Sequence, residues 1–164
     1  MSTPSSLRVA VITVSDSVSS GKSEDQSGPA VIARCRELGW EIKSSLVVPD
    51  DPPGIREQLR ELADSGRVDL ILTTGGTGLG PRDSTPEATI AIADRLIPGF
   101  AEEMRRKGME KTPRAILSRA VAAVRHRALI LNLPGSPSGA VDSLDALAGL
   151  LPHSIAIIHG ARHD

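Results

Sequence analysis

Hydrophobic positions in the first half of the chain follow two alternating patterns. Short runs rich in β-branched residues and nearly continuous in apolar character predict strands that are covered on both faces of a sheet. Such runs lie at residues 7–15 and 68–74, and residues 40–48 are predicted to form a further strand. Between them lie segments with helical spacing, and in the second of these Ile55, Leu59 and Leu62 share one face. Strands separated by such helices predict a parallel sheet.

Helix boundaries in this half are marked by capping residues and glycines. Residues 16–26 form a polar loop, after which Ser27 is predicted to cap a helix that ends at Gly39. The second helix follows the proline-rich turn 49–53 and ends at Gly66. Both helices therefore have the length expected of a crossover between parallel strands.

The second half of the chain continues the alternation less regularly. Helices are predicted at 85–96, with Thr85 as N-cap, at 98–109 and at 136–151. Residues 129–133 predict a core strand, and Arg125-His126-Arg127 separates it from an earlier apolar run, as in a hairpin or a short basic turn. The pattern at 154–160 fits a short helix or an edge strand equally well.

Together these elements predict an α/β fold with three layers, α-β-α, around a mostly parallel central sheet. We expect one domain over residues 7–164, because the 164-residue chain can bury a single core. Residues 1–6, "MSTPSS", are small and polar and predict a disordered tail.

Composition narrows the possible partners and the compartment. The formal net charge is -1, and the chain has one Trp, one Phe and no Tyr, which argues against nucleic-acid binding by base stacking. No segment approaches the ~20 apolar residues of a membrane span, and the N-terminus does not fit a signal peptide. The single cysteine, Cys35, fits a reducing compartment and a buried position in a helix. We therefore expect a cytoplasmic protein with neither nucleic acid nor membrane as partner.

Polar clusters follow four of the predicted strands. They are Ser15-Asp16-Ser17, Pro49-Asp50-Asp51, the stretch "TTGGTG" at 73–78, and Pro134-Gly135-Ser136-Pro137. In an open parallel sheet, ligands bind outside the carboxyl ends of the strands. The four clusters therefore predict one binding site at that edge.

The glycine-rich stretch predicts an anion site, with phosphate as the natural ligand. Glycines allow close approach of the backbone, and consecutive N–H groups form a concavity that binds anions. Gly75 and Gly80 have the glycine spacing of a P-loop, but Pro81-Arg82 stand where Lys-Ser/Thr is required. The third glycine of a dinucleotide fingerprint is also missing, so neither generic nucleotide motif applies.

Carboxylates beside such a loop predict a divalent cation. Asp50 and Asp83 would repel a phosphate unless Mg²⁺, which takes one or two carboxylates together with phosphate oxygens, lies between them. Asp51 could take the place of Asp50, and Arg82 could bind a phosphate or point to solvent. The four histidines show no spacing typical of a transition-metal site.

The sequence resembles the molybdenum-cofactor biosynthesis family of the MogA/MoaB type. The resemblance lies in "TTGGTG", "RDSTPEAT", "AILSRAV" and "NLPGSP", with "PD" at 49–50 and the opening "VSDS". It runs from about residue 8 to the end of "NLPGSP", which is most of the chain.

The resemblance implies a function and an assembly. It implies an α/β homotrimer with molybdopterin adenylyltransferase activity, in which the terminal phosphate of molybdopterin attacks the α-phosphate of Mg-ATP. The products would be adenylyl-molybdopterin and pyrophosphate, with hand-off of the former to a molybdate-inserting protein. ATP would be a co-substrate and Mg²⁺ the cofactor.

The resemblance also implies the residues of the site. The two important aspartates of the family correspond to Asp50 and Asp83, as catalytic and metal-binding residues. The implied substrate-binding residues are Gly75, Gly76, Thr77, Gly78, Asn132, Pro134, Gly135 and Ser136, with Asp16 and Ser118 as further lining residues.

Two other functions are compatible with the same residues. A non-catalytic protein that binds and delivers molybdopterin would use the same glycine loop without needing Mg-ATP. A structural trimer would need no ligand, but it would leave the four polar clusters unexplained.

Overall fold

A computed structural model describes residues 6–162 of the chain. The strands are β1 (Arg8–Val14), β2 (Glu41–Val48), β3 (Leu70–Thr74), β4 (Arg95–Leu96), β5 (Ala122–Arg125) and β6 (Ala128–Leu133). The helices are α1 (Asp16–Ser19), α2 (Ser27–Glu37), α3 (Pro52–Asp64), α4 (Thr85–Ile92), α5 (Pro98–Met109), α6 (Pro137–Leu147) and α7 (Leu151–Ile158). A 3₁₀ helix covers Pro113–Leu117.

The strands form one sheet of six, in the order β2-β1-β3-β6-β5-β4. Strands β2, β1, β3 and β6 are parallel, β5 is antiparallel to β6, and β4 is antiparallel to β5. The predicted α/β fold with a mostly parallel central sheet is confirmed. Of the two alternatives for residues 125–127, the structure shows the hairpin, in which β5 pairs with β6 and His126 lies in the turn at φ 51.

Each face of the sheet is covered by its own hydrophobic core, which gives the three predicted layers. Successive residues of β1 point to opposite faces: Val9 and Val11 belong to one core, Ala10 and Ile12 to the other. The first core includes residues of α2, α5, α6 and α7, whereas the second includes residues of α3 and α4. The strands β1, β3 and β6 are therefore buried on both faces, whereas the edge strand β2 alternates between exposed and half-buried residues.

Two predicted N-caps are wrong for the same physical reason. Ser27 and Thr85 are the first residues of α2 and α4 rather than their caps. The hydroxyl of Ser27 is hydrogen-bonded to Oγ1 of Thr74 (2.8 Å), and that of Thr85 donates to the carbonyl of Gly75 (3.0 Å). Tertiary partners at the end of β3 therefore outcompete local capping, and the two hydroxyls tie their helices to the glycine loop.

Other departures are small. The polar loop 16–26 begins with the one-turn helix α1, whose N-cap Ser15 accepts a hydrogen bond from the Val18 amide. The helix predicted at 85–96 stops at Ile92, and its last two residues form β4 instead. The segment at 154–160, which fitted a helix or a strand, lies mostly in α7.

The chain ends and two single residues complete the fold. Residues 1–5 of the predicted tail lie outside the described residues, and Ser6 donates a hydrogen bond to the Gly39 carbonyl (2.9 Å). Burial raises the pKa of the Cys35 thiol to about 12, which agrees with a core position. Trp40, which immediately precedes β2, is 5% exposed and packs in the first core.

Within residues 6–162, no single helix is long and apolar enough to cross a membrane. In this part of the chain, α6 and α7 reach that length and apolarity only when taken together, and they are bent by 63° relative to each other.

Candidate functional site

The polar clusters that follow the parallel strands meet at the carboxyl edge of the sheet. Asp16 follows β1 and Asp50 follows β2, and each accepts a hydrogen bond from the backbone of the other. The amide of Asp16 donates to Oδ2 of Asp50 (3.0 Å), and the amide of Asp50 donates to Oδ1 of Asp16 (2.9 Å). This exchange fixes the two loops relative to each other.

The glycine loop that follows β3 is packed so tightly that two of its positions require glycine. Gly75 and Gly76 have φ values of +93° and +70°, in the left-handed region that glycine adopts without strain. A Cβ atom at Gly75 would lie 2.3 Å from the Val14 carbonyl oxygen, and one at Gly76 would lie 2.2 Å from Oγ1 of Thr85. The loop therefore presents bare backbone to its surroundings.

The segment after β6 packs against this loop backbone to backbone. The Gly75 amide donates to the Leu133 carbonyl (3.0 Å), and a Cβ atom at Gly135 would lie 3.4 Å from the Gly75 Cα. Two segments far apart in sequence, 73–78 and 132–137, thus form one continuous surface. The sequence had assigned both to the same pocket.

The carboxylate of Asp83 folds back over the loop. Its Oδ2 accepts a hydrogen bond from the Gly80 amide (2.9 Å), and Cβ atoms at Gly78 and Gly80 would each lie 2.9 Å from the same oxygen. A side chain at either glycine would push the carboxylate away. The spacing of the glycines thus creates the place that Asp83 occupies.

One carboxylate oxygen of Asp50, near Gly76 of the loop, forms no hydrogen bond within residues 6–162. Its Oδ1 is buried and has no hydrogen-bond partner among residues 6–162, and a Cβ atom at Gly76 would lie 3.1 Å from it. Burial raises the pKa of Asp50, and the negative charges of Asp16 and Asp83 raise it further against the opposing hydrogen bond from Asp16. An unpaired buried oxygen of this kind is unfavourable unless a ligand supplies a partner.

The structure distinguishes the roles of Asp50 and Asp51, which the sequence alone leaves open. Asp51 is the N-cap of α3, where its carboxylate accepts a hydrogen bond from the Gly54 amide (3.1 Å). Only Asp50 faces the glycine loop. Asp51 therefore has a sufficient structural role of its own.

Arg82 is exposed and paired with Asp16. Its Nε donates to Oδ2 of Asp16 (3.0 Å) and its Nη2 to Oδ1 (2.9 Å), a two-pronged contact that lowers the pKa of Asp16. The sequence allows Arg82 either to bind a phosphate or to point to solvent, and in the structure its guanidinium instead bonds the carboxylate of Asp16. The pairing offsets the negative charge of Asp16 at this edge.

A cavity of about 550 Å³ opens over the glycine loop. Every predicted substrate-binding or catalytic residue lines it except Asp16 and Asp50. Its far wall comes from α5, the 3₁₀ helix and the start of α6, and includes Arg105, Lys111 and Arg114. A second cavity of about 230 Å³ shares Gly75 and Gly135 with the first.

Three of the predicted lining residues use their side chains within the protein. Asn132 is buried, with its Nδ2 donating to the hydroxyls of Thr73 and Thr89 and its Oδ1 accepting from the Val121 amide. Ser136 caps α6, and Ser118 Oγ accepts from the Ala120 amide. These side chains shape the floor of the cavity and aim the N-terminus of α6 at it.

Sequence reasoning missed Arg119, the residue after Ser118. Its amide donates to the Thr77 carbonyl (2.8 Å), its Nε to the Gly78 carbonyl (2.8 Å) and its Nη2 to the Asp83 carbonyl (2.9 Å). The motif "AILSRAV" contains this arginine, but nothing in the local pattern indicates contacts across about 40 residues. The basic residues of the far wall also carried no signal, since such residues are common on surfaces.

The aspartates at this edge do not form a closed metal cage. Within the described ranges, no group of three or more His, Cys, Asp or Glu side chains is placed to hold a metal ion. Asp50 and Asp83 instead offer a partial set of hard oxygen ligands, which suits Mg²⁺ because that ion keeps waters and substrate oxygens in its shell. The unpaired Oδ1 of Asp50 fits such an ion.

Comparisons with known proteins agree with this geometry. A family model described as a probable molybdopterin binding domain matches residues 10–153. The molybdopterin adenylyltransferase of Haemophilus influenzae is 42% identical over 144 residues, covering 86% of this chain and 73% of its own. That of Escherichia coli K12 is 40% identical over 157 residues, covering 94% and 79%.

A solved structure shares the fold over nearly its whole length. The molybdopterin biosynthesis enzyme MoaB from Thermus thermophilus superposes with a TM-score of 0.89 at 49% identity, covering 96% of this chain and 99% of that one. Taken with the matched family model, this shows that the chain belongs to the molybdenum-cofactor biosynthesis family of molybdopterin-binding domains.

Proposed function

We propose that the protein is a molybdopterin adenylyltransferase, which transfers AMP from ATP to the terminal phosphate of molybdopterin. The observation that carries the proposal is the carboxyl edge of the sheet, where a bare glycine loop lies between the unpaired Oδ1 of Asp50 and the carboxylate of Asp83. Two relatives about 40% identical are named for this activity, which favours an enzyme over a carrier.

The larger cavity is the proposed site for molybdopterin. Its volume of about 550 Å³ falls in the range typical of pockets for small molecules and cofactors. We assign Gly75, Gly76, Thr77 and Gly78 to one wall and Pro134, Gly135 and Ser136 to the other, with Ser118 and Asn132 at the floor. The N-terminus of α6 and the guanidinium of Arg114, which pairs with no carboxylate within residues 6–162, favour an anionic group there.

Asp50 and Asp83 are the proposed ligands of Mg²⁺, with Asp16 supporting Asp50 through their exchanged hydrogen bonds. When bound, the ion would neutralise charge on the phosphates of ATP and on the departing pyrophosphate. The protein's own contribution is to hold the carboxylates of Asp50 and Asp83 at one loop, where the bound ion would let the phosphates of ATP approach them.

The transfer itself requires little covalent help from the protein. An oxygen of the molybdopterin phosphate attacks the α-phosphorus of ATP, the bond from that phosphorus to the bridging oxygen breaks, and pyrophosphate leaves. Because the attacking phosphate is already ionised, no general base is needed, and positioning together with charge stabilisation supplies the catalysis. This agrees with the absence of histidine and free lysine bases from the predicted site residues.

Further parts of the proposal concern the setting of the reaction. The family resemblance implies a homotrimer, which sedimentation velocity would measure, and delivery of the product to a molybdate-inserting protein. We also place the reaction in the cytoplasm, since a lone buried thiol suits a reducing compartment.

The test is pyrophosphate release from ATP by the purified protein. Release should require both molybdopterin and Mg²⁺. Asp83→Asn should lower kcat by roughly 10²–10³-fold while the variant still binds molybdopterin, because the electrostatic contribution of one carboxylate is lost. Asp51→Asn is the matched control: Asn caps helices as well as Asp does, so this variant should keep full activity.

The outcomes are distinct. Molybdopterin binding by the wild type without any turnover would favour the carrier. Normal turnover by Asp83→Asn would contradict the role proposed for that residue. Loss of turnover in Asp51→Asn would mean that Asp51, rather than Asp50, is the second carboxylate that the reaction needs.

A further inference from the structure

We propose that Arg119 is a positioning residue, which holds the glycine loop and Asp83 in fixed register so that the Asp83 carboxylate meets the bound substrates. The proposal rests on the function proposed above. It concerns a residue that contacts the backbone of the site rather than the reacting atoms.

Arg119 ties together both ends of a seven-residue stretch, 77–83. Its amide and Nε hold the carbonyls of Thr77 and Gly78 at the start, and its Nη2 holds the carbonyl of Asp83 at the end. Each of these bonds is 2.8 or 2.9 Å long. Arg119 alone thus sets the distance between the backbone at Thr77 and Gly78 and the backbone at Asp83.

Apart from the exposed pair between Arg82 and Asp16, the stretch between the two ends has few other contacts to hold it. The internal bonds run between Gly80 and Asp83, where each amide is donated to an oxygen of the other residue. Leu79 is 67% exposed and contributes no core contact. Since glycines at 78 and 80 leave the backbone free to adopt many conformations, the external clamp decides which one is populated.

The chemistry of arginine suits this task, and lysine would not replace it. A guanidinium presents its N–H donors in a rigid planar fork, so Nε and Nη2 can reach two carbonyls whose separation is fixed. The remaining guanidinium nitrogen, Nη1, donates to the carboxylate of Glu87 in the first turn of α4 (2.5 Å). The three donors of an ammonium group share one nitrogen and rotate freely, so a lysine would not fix the geometry of these separated acceptors.

The experiment compares Arg119→Met and Arg119→Lys with Arg125→Met. Arg125 is a matched control at the opposite edge of the sheet, where it also bonds a carboxylate, that of Asp64, and a backbone carbonyl, that of Ile92. Three quantities are measured in each variant: kcat for pyrophosphate release, the dissociation constant for molybdopterin, and the hydrogen-exchange protection of the Gly80 and Asp83 amides.

We expect both Arg119 variants to lose about 10²-fold in kcat, the size of effect that a shift of about 1 Å produces in a catalytic group. Binding of molybdopterin should change by less than about threefold, because the walls of the cavity remain. Exchange at Gly80 and Asp83 should accelerate at least about tenfold while core amides keep their protection. Arg125→Met should alter none of these three quantities.

Full activity in Arg119→Lys would overturn the proposal, since it would show that charge alone is sufficient. Equal losses in Arg119→Met and Arg125→Met would overturn it as well, because they would indicate general destabilisation. If the wild type shows no turnover, the proposed function fails, but hydrogen exchange still tests the clamp. Unchanged protection at Gly80 and Asp83 would then reject it.

Discussion

One aspartate at the amino edge of the central sheet and one at its carboxyl edge differ in how far their hydrogen bonds are satisfied. At the amino edge, Asp69 precedes β3, and both of its oxygens accept hydrogen bonds from Arg8, at 2.9 to 3.2 Å. At the carboxyl edge, Asp50 follows β2 and has one buried oxygen with no partner among the described residues. Burial acts to raise the pKa of both carboxyls, but the bonds from Arg8 lower that of Asp69, whereas that of Asp50 stays raised.

This contrast separates the part of the molecule that stabilises the fold from the part that is available to a ligand. A carboxylate whose charge is satisfied internally contributes to folding, but it has little left to offer a metal ion or a phosphate. An unsatisfied one costs stability and gains a partner only when something binds. Functional sites are where proteins commonly accept such costs.

Glycine substitutions should show the largest difference between the edges. Gly75 at the carboxyl edge and Gly66 near the amino edge both have positive φ, but a Cβ at Gly75 would lie 2.3 Å from a backbone oxygen, whereas one at Gly66 meets nothing within 4 Å. Gly75→Ala should lower the free energy of unfolding by about 2–5 kcal/mol, from backbone strain plus overpacking. Gly66→Ala should lower it by about 1 kcal/mol, from strain alone.

Urea titrations followed by circular dichroism would measure both values. Equal losses in the two variants would mean that the loop can relax around a methyl group, and the tight packing described for it would then be wrong.

The second prediction concerns the satisfied aspartate. Asp69→Asn should lower the free energy of unfolding by about 1–3 kcal/mol at pH 7, because Arg8 loses charged acceptors in a nearly buried position. The lowered pKa of Asp69 fixes the sign of the pH effect. Its stabilisation is complete above the unfolded-state pKa of about 3.9 and is lost as the pH falls through the lower folded-state pKa.

The difference in stability between the wild type and Asp69→Asn should therefore shrink as the pH falls below about 4. Thermal unfolding at a series of pH values would measure it. A difference that stays constant down to pH 2 would show that the charge of Asp69 is not what stabilises this edge.

The third and smallest prediction concerns the unsatisfied aspartate. Asp50→Asn should leave the free energy of unfolding unchanged or raise it by up to about 1 kcal/mol, because an amide removes repulsion from Asp16 and Asp83. The Asn carbonyl can still accept the hydrogen bond from the Asp16 amide. Calorimetry would measure stability, and the pyrophosphate assay should show activity lost in the same variant. Destabilisation of more than about 1 kcal/mol would show that Asp50 supports the fold in the way that Asp69 does.

The sequence predicted the layers of this fold because the signal for each element lies within the element itself. The β-branched run of β1 and the apolar face of α3 determine burial locally, and the structure confirms both. The approach of Asp83 to the glycine loop was also predictable, since only a few residues separate them.

Contacts that depend on the tertiary fold could not be predicted in this way. The hydroxyls of Ser27 and Thr85 have good local capping geometry in sequence terms, but they turn to β3 and its loop. The clamp by Arg119 and the pairing of Arg82 with Asp16 join residues 36 to 66 positions apart. No local pattern distinguishes such arginines from ordinary surface ones.

Trp40 gives the protein a built-in optical probe. It is the only tryptophan, the chain contains no tyrosine, and the indole is buried in the core beside the start of β2, away from the glycine loop. Its emission should shift to longer wavelength when the core is exposed to water. This one indole can therefore monitor global unfolding in each variant without any overlapping emission from tyrosine.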